Sequence, residues 1–253
     1  MRPPASTARV ACLFDIHGNL PAFEAVLAEV RVAGVDRVVI GGDVLPGPMP
    51  RECLELALNT GIPADFIIGN GDRETVAARR GTMSAMIPAA FQDAMRWNGA
   101  RLTPADEQLI DSWPLTLRIR VDGIGDVVFC HATPRNDTEI FLKTTADEKL
   151  LPIVEPLDAQ LIVCGHTHMQ FDRVVGRTRI INAGSVGMPF QPAGAYWALL
   201  GRDVELRRTR YDFESAAAAV RATAYPQAEQ YAGGILTPPD ENTTLEQFRA
   251  AEL

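Results

Sequence analysis

The chain has 253 residues, 47% of them hydrophobic, and carries 24 basic against 32 acidic side chains for a net charge of −8. That length suits one large α/β domain with small additions, and the acidic balance argues against a basic surface built for polymeric nucleic acid. The apolar stretch after Met1-Arg2-Pro3-Pro4 is too short for a secretory signal, no run is long enough to span a membrane, and the four cysteines, Cys12, Cys53, Cys130 and Cys164, form no Cys-x-x-Cys pair. A cytoplasmic protein with reduced thiols and no membrane partner is expected.

Residues 9–15 form a nearly continuous apolar run, as expected for a strand buried on both faces of an α/β sheet. Asn19 caps the following helix, Pro21 fits its first turn, and Leu20, Phe23, Val26, Leu27 and Val30 recur at helical spacing until Gly34. A second run at 37–40 ends on Gly41-Gly42-Asp43, and a loop of prolines and glycines leads to a helix at about 52–58. The third, Phe66-Ile67-Ile68, ends on Gly69-Asn70-Gly71-Asp72. This β-α-β-α-β order implies parallel strands and right-handed crossovers.

Residues 74–114 read as a helical insert carrying Trp97 and Trp113 as core anchors, with a capped helix start at Thr103-Pro104-Ala105-Asp106-Glu107. Strand-like runs follow at 115–121, 127–130, 160–164, 171–175, 178–182, 195–200 and 204–211. Several stand at hairpin distance, as across Val175-Gly176-Arg177-Thr178, so antiparallel pairs are expected in the second half. The domain is placed at residues 1–211. The tail, 212–253, reads as helices at 215–224, 226–231 and 243–251, the last capped by Thr243. It is expected to pack on or near the domain, as a lid, a dimer contact or, most simply, an appendage.

All four histidines lie in short polar clusters that close strand-like runs: Asp15-Ile16-His17-Gly18-Asn19, Cys130-His131-Ala132-Thr133-Pro134 and Gly165-His166-Thr167-His168. Ligands of open α/β sheets bind beyond the carboxyl ends of the strands. Asp15, His17, Asp43, Asn70, His131, His166 and His168 are therefore expected to converge. Imidazole is the commonest side-chain metal ligand, and seven nitrogen and oxygen donors exceed the three or four that one metal takes. Two metals sharing a carboxylate fit better. Singly, each cluster has a plainer reading: Asp15 and Asp43 as helix N-caps, Asn70-Gly71 as a turn, His131 as a structural histidine, His166 and His168 as a solvated loop. Their joint occurrence, using every histidine, makes the plainer readings fail together.

In order, Asp-x-His, Gly-Asp, Gly-Asn-x-Asp, His and Gly-His-x-His resemble the motif set of the calcineurin-like metallophosphoesterase superfamily over residues 10–187. Asn182-Ala183-Gly184-Ser185-Val186-Gly187 is similar to the Asn-Pro-Gly-Ser-Val-Gly run of its small bacterial phosphodiesterase-like members, with Ala183 in place of proline. The resemblance implies a four-layer α/β/β/α sandwich of two mixed sheets flanked by helices. It also implies that Asp15, His17, Asp43 and His168 hold one metal and Asp43, Asn70, His131 and His166 the other, with Asp43 bridging and Asp43, Asn70 and His131 serving catalysis. Such donors suit Mn, Fe, Zn, Co or Ni, with Mn favoured. The expected reaction is attack of a metal-bridging hydroxide on a phosphoester, with inversion at phosphorus. The expected enzyme is a phosphodiesterase acting on a small phosphoester or nucleotide. A dinucleoside polyphosphate hydrolase, a phosphoprotein phosphatase and a non-catalytic binding scaffold of the same fold stand as alternatives, and a homo-oligomer is left open.

Gly71 stands where many superfamily members carry a histidine that resembles a general acid near the leaving group. No fifth histidine exists to replace it, and small bacterial phosphodiesterase-like members lack it too. Asp72 is expected to orient the Asn70 loop. Arg73, Arg135 and Asn136 are candidate substrate contacts, with a salt bridge at Arg73 and a surface turn at Arg135-Asn136 as the plainer readings. Ser185 does not fit a nucleophile elbow, because Ala183 stands where that motif needs glycine.

Overall fold

The computed structural model describes residues 7–253; Met1-Arg2-Pro3-Pro4, weighed above as a signal, and the rest of the first six residues of the expected domain lie outside the described residues. Strands and helices alternate at first: β1 (Val10–Leu13), α1 (Leu20–Ala33), β2 (Arg37–Ile40), α2 (Pro50–Leu58) and β3 (Ala64–Phe66). Three helices follow, α3 (Asn70–Arg80), α4 (Ala89–Gly99) and α5 (Pro104–Asp111). Then come β4 (Thr116–Val121), β5 (Gly125–Cys130), α6 (Asp147–Val154), β6 (Leu161–Cys164), β7 (Phe171–Val175), β8 (Thr178–Asn182), β9 (Ala195–Leu200) and β10 (Val204–Thr209). The tail supplies α7 (Phe213–Arg221), α8 (Ala228–Leu236) and α9 (Glu241–Arg249).

The strands make two mixed five-stranded sheets, ordered β10-β9-β1-β2-β3 and β4-β5-β6-β8-β7. β1, β2 and β3 run parallel, as the alternation with helices requires, while β9 joins β1 and β10 joins β9 antiparallel. In the second sheet β5, β6 and β8 are parallel and the hairpins β4–β5 and β7–β8 supply antiparallel edges.

β1 is apolar throughout because both its faces are covered. Side chains alternate across a strand, so Val10 and Cys12 join Val127, Phe129 and Val163 in the core between the sheets. Ala11 and Leu13 face the other way, onto the Phe23, Val26, Leu27 and Val30 stripe of α1. A third apolar layer sets Val128 and Ile162 of the second sheet against Leu150 and Ile153 of α6. Helices, sheet, sheet and helix thus stack as α/β/β/α. At the head of α1 the Asn19 side chain accepts from Ala22 N–H at 3.2 Å, and Gly34 ends the helix at φ 64°.

Several elements differ from the sequence reading, each for a local reason. β3 begins at Ala64 rather than Phe66, because the charge that breaks the apolar run, Asp65, is paired with Arg37 of the neighbouring strand. α6 carries no start or stop signal: Ala146 at its N-terminus offers no side-chain cap, and Pro152 lies within it. α8 continues through Gly233-Gly234 to Leu236, held by Ala232 and Ile235 in a core with Ala94, Ala216 and Val220. Thr243 does not cap the last helix. Asp240 does, its side chain accepting from Thr243 N–H at 3.0 Å.

The tail's position also differs from a plain appendage. α7 and α8 pack on Ala94 of α4, and Leu245 of α9 packs with Leu142 and Met169. These contacts bring it to the carboxyl ends of the strands.

Candidate metal centre

The loops after β1, β2, β5 and β6 meet at one end of the sandwich, and backbone hydrogen bonds extend the sheets into them. Asp15 N–H donates to Gly42 O at 3.1 Å, His17 N–H to Asp43 O at 2.9 Å and Gly165 N–H to His131 O at 2.9 Å. Ser185 takes a part as well, its hydroxyl donating to Asp15 O at 2.7 Å. Turning polar side chains inward from these loops takes the backbone into the left-handed region. Asp15, His17, Asp43, His166 and His168 have φ of 54°, 47°, 51°, 66° and 57°, and Asp158 is the one other non-glycine residue with positive φ among the described residues. Each such residue costs on the order of 1–3 kcal/mol, so their gathering in one place marks a constellation that the fold has been built to hold.

The tautomers follow from the second ring nitrogens. Nδ1 of His17, His131 and His168 faces the carbonyl oxygens of Pro46 at 3.3 Å, Gly41 at 2.9 Å and Met188 at 2.6 Å. A ring nitrogen facing a carbonyl carries the proton, so in the neutral ring Nε2 is the atom with the lone pair. Those three Nε2 atoms face Asp15 Oδ1 at 3.8, 3.8 and 3.2 Å. Asp15 Oδ1 is buried without a hydrogen-bond partner, while Oδ2 accepts from His166 N–H at 2.9 Å. Nε2 of His17 and Nε2 of His168 stand 3.1 Å apart. None of these atoms has a proton for another, and two nitrogens bound to one ion at about 2.0–2.1 Å would lie about 3 Å apart. The donor set fits a cation.

Asp43 Oδ2 is 3.6 Å from His17 Nε2 and 3.5 Å from His131 Nε2, midway between two imidazoles, while Oδ1 accepts from Gly71 N–H at 2.7 Å. The Asn70 side-chain oxygen is 3.1 Å from His131 Nε2, and the same amide position is 2.9 Å from His166 Nδ1 and 3.1 Å from Asp137 O. With the nitrogen turned there the amide has two protons for these three acceptors; with the oxygen there it stands beside two ring nitrogens. Two triads, Asp15-His17-His168 and Asp15-Asp43-His131, have ligand atoms within 4.8 Å of one another. All seven side chains named from the sequence meet in this one place.

Burial and the neighbouring His168 push the His17 imidazole down to about 3, and burial with His131 does the same to His166. Both are neutral near pH 7, the form a metal ligand needs. Burial pushes Asp15 upward, and the positive charge of His168 and His131 in their protonated forms outweighs it and leaves the carboxyl lowered. Asp43, buried and beside Asp15, is held well above the usual carboxylate range. A cation between two such carboxylates would relieve that repulsion.

Asp72 lies outside both triads and binds backbone. Its carboxylate accepts from Asp43 N–H at 2.7 Å, Leu45 N–H at 2.9 Å and Gly69 N–H at 3.3 Å, tying the Asp43 loop to the start of α3. Burial and the charge on Asp43 push it up to about 8. A Cβ on Gly71 would lie 2.4 Å from Leu45 O and 2.8 Å from Pro46 Cδ. The backbone closes on the space a histidine would occupy.

Each of the three candidate substrate contacts is held by a neighbouring protein group. Arg73 Nε donates to Asp137 at 2.7 Å and Nη1 to Glu74 at 2.6 Å; Arg135 Nε donates to Glu139 at 2.6 Å; the Asn136 side chain accepts from Glu139 N–H at 2.7 Å in a turn. Beside the centre lies a cleft of about 720 Å³, which His17, Asp43 and Asn70 of the seven help to line. Phe91 and Met95 of α4 and Tyr225, Tyr231 and Ile235 of the tail form its walls. Their apolar character had no local signal that set it apart from core.

A fold of two mixed sheets with imidazoles, carboxylates and an amide at their carboxyl ends defines a metallophosphoesterase-like protein. Residues 9–203 match the model of the calcineurin-like phosphoesterase superfamily domain, and the chain belongs to that superfamily. An uncharacterized protein of Methanocaldococcus jannaschii is 26% identical over 230 residues, 82% of this chain and 89% of its own length. A metallophosphoesterase from Sphaerobacter thermophilus has a similar structure with TM-score 0.70 and 25% identity, covering 91% of this chain and 99% of that one. A hypothetical protein from Pyrococcus horikoshii shares the fold with TM-score 0.77 at 19% identity, covering 92% and 99% of the two chains.

Proposed function

We propose that the protein is a binuclear metal-dependent phosphodiesterase. The observation that carries this reading is the buried Asp15 Oδ1, which has no hydrogen-bond partner and faces the lone-pair nitrogens of His17, His131 and His168. Asp15, His17, Asp43 and His168 would hold one divalent ion, and Asp43, Asn70, His131 and His166 the other. The position of Asp43 Oδ2, at 3.6 and 3.5 Å from the imidazoles of the two halves, supports its bridging role. Divalent ions, when bound, activate water and neutralise charge on a phosphoryl group.

The chain's own residues fix how the site is used. Carbonyl oxygens of Pro46, Gly41 and Met188 hold three imidazoles in the tautomer that presents Nε2. Asp72 holds the Asp43 loop, and Gly71 N–H holds the Asp43 carboxylate. Among the described residues that line the cleft there is no lysine or arginine. That favours a diester, with one phosphate charge, over a monoester with two. Burial pushes Tyr225 up to about 12, so its hydroxyl is a weak acid for a leaving group.

The test is hydrolysis of an activated aryl phosphodiester beside its monoester, with metal-stripped protein and added Mn. Diester turnover that appears only with metal is expected. A monoester preferred by a large factor sinks the diesterase reading, and failure to bind any divalent metal sinks the binuclear one.

A further inference from the structure

We propose that the cleft wall built by the C-terminal tail seats one ester arm of the substrate, an uncharged aromatic group of phenyl or nucleobase size, and so selects aryl-type phosphodiesters over polyphosphate chains. The inference rests on the phosphodiesterase reading for the identity of the phosphoryl group, and goes beyond it in naming what lies on either side. The cleft is continuous with the seven-donor centre, since His17, Asp43 and Asn70 line the same 720 Å³ space. That volume falls within the range of small-molecule pockets, roughly 300–1,000 Å³, and exceeds what a phosphoryl group alone would fill.

Its chemistry suits a flat apolar arm. An aromatic series leads outward from the centre: the His168 ring stacks on Phe190 with centroids 4.8 Å apart, and Phe190 stands 6.0 Å from Phe248 of α9. Phe91 faces the cleft from α4, and Tyr225 and Ile235 from the tail. The polar groups the tail adds, Gln227, Gln230 and Gln247, are neutral amides, able to hydrogen-bond a base or ring substituent and unable to offset charge. A chain of further phosphates would meet no lysine or arginine among the described lining residues.

Besides this apolar packing, one hydroxyl ties the wall to the centre. Tyr231 Oη–H is aimed at His17 O at 2.8 Å, with Gly187 O at 3.3 Å, so α8 is registered on the backbone of a candidate ligand. Gly234 of α8 lines the cleft, and a Cβ built there meets nothing within 4 Å. A Cβ at this position has open space around it, and glycine within a helix is less favourable than alanine or leucine. Gly234→Leu therefore adds apolar volume at the cleft wall with no protein atom against its Cβ, and Gly234→Ala adds less.

Calorimetric titration of the full-length protein, with free Mn in excess, tests this with diphenyl phosphate, dimethyl phosphate and diadenosine tetraphosphate. Diphenyl phosphate should bind at least tenfold more tightly than dimethyl phosphate. Gly234→Leu should weaken diphenyl phosphate by tenfold or more, Gly234→Ala by less, with dimethyl phosphate within twofold and metal content unchanged. Equal affinity for the two diesters, equal weakening of both by Gly234→Leu, or diadenosine tetraphosphate bound more tightly than diphenyl phosphate would overturn the proposal. Tail-dependent binding of diphenyl phosphate with no diester hydrolysed would uphold the arm site and overturn the phosphodiesterase reading.

Discussion

Asp43 stands between the two halves of the candidate site, with Oδ2 between His17 and His131 and Oδ1 on Gly71 N–H. Replacing it with asparagine keeps the shape and removes the charge. Asp43→Asn is expected to lower bound metal and turnover together, turnover by about 100-fold or more, since even outer-shell changes at metal sites cost 10–100-fold. Elemental analysis beside a diesterase assay checks this, and normal activity would refute the bridging role. Asp72 is the complementary case, a carboxylate that serves three backbone N–H groups. Asp72→Ala should destabilise the metal-free protein by about 3 kcal/mol or more, because each buried donor left without an acceptor costs about 1–3 kcal/mol. Urea unfolding of the two proteins measures it; a change below about 1 kcal/mol would mean that water replaces the carboxylate.

Among the elements, the tail helices carry the clearest tests. Asp240 caps α9 through Thr243 N–H, so Asp240→Ala should weaken this helix by about 1 kcal/mol. Hydrogen exchange of the amides of residues 243–247 should accelerate in that variant and change less in Thr243→Ala. Tyr231→Phe removes the hydroxyl that reaches His17 O and Gly187 O from α8. A loss of about 1 kcal/mol in stability is expected, with metal content unchanged and KM for aryl diesters raised. An unchanged KM would indicate that apolar packing of Ala232 and Ile235 alone positions the helix. α8 also shows why helix signals fail here: two consecutive glycines would stop an isolated helix, yet burial of the residues on either side carries it through.

For the molecule as a whole, the candidate metal centre is where five loops from two sheets meet, and a bound ion would link them. His166 N–H to Asp15 Oδ2 already joins the second sheet's β6 loop to the first sheet's β1 loop. Metal stripping should therefore lower Tm, and restored metal should raise it with concentration, by about 2.7 kcal/mol at a hundredfold excess over Kd. At about 2–4 °C per kcal/mol for a chain of this size, a shift of roughly 5–10 °C is expected by calorimetry. Asp43→Asn should show little of it.

The sequence by itself determined the kinds of donor side chain and their order along the chain. Strand periodicity is local, so the runs that end on Asp15, Asp43, Asn70 and His131 could be read without a fold, and with them the βαβαβ half and the hairpin at Gly176. Residue type is local too, so four histidines at strand ends announced nitrogen donors. Only the tertiary structure decided which ring nitrogen faces the centre, because each tautomer is set by a carbonyl from a distant or neighbouring loop, as with His131 and Gly41 O. It decided that Arg73 is paired with Asp137 and that the tail forms a wall of the cleft, through contacts such as Tyr231 to His17, 214 residues apart. Those pairings depend on how packed layers align. No periodicity along the chain encodes them.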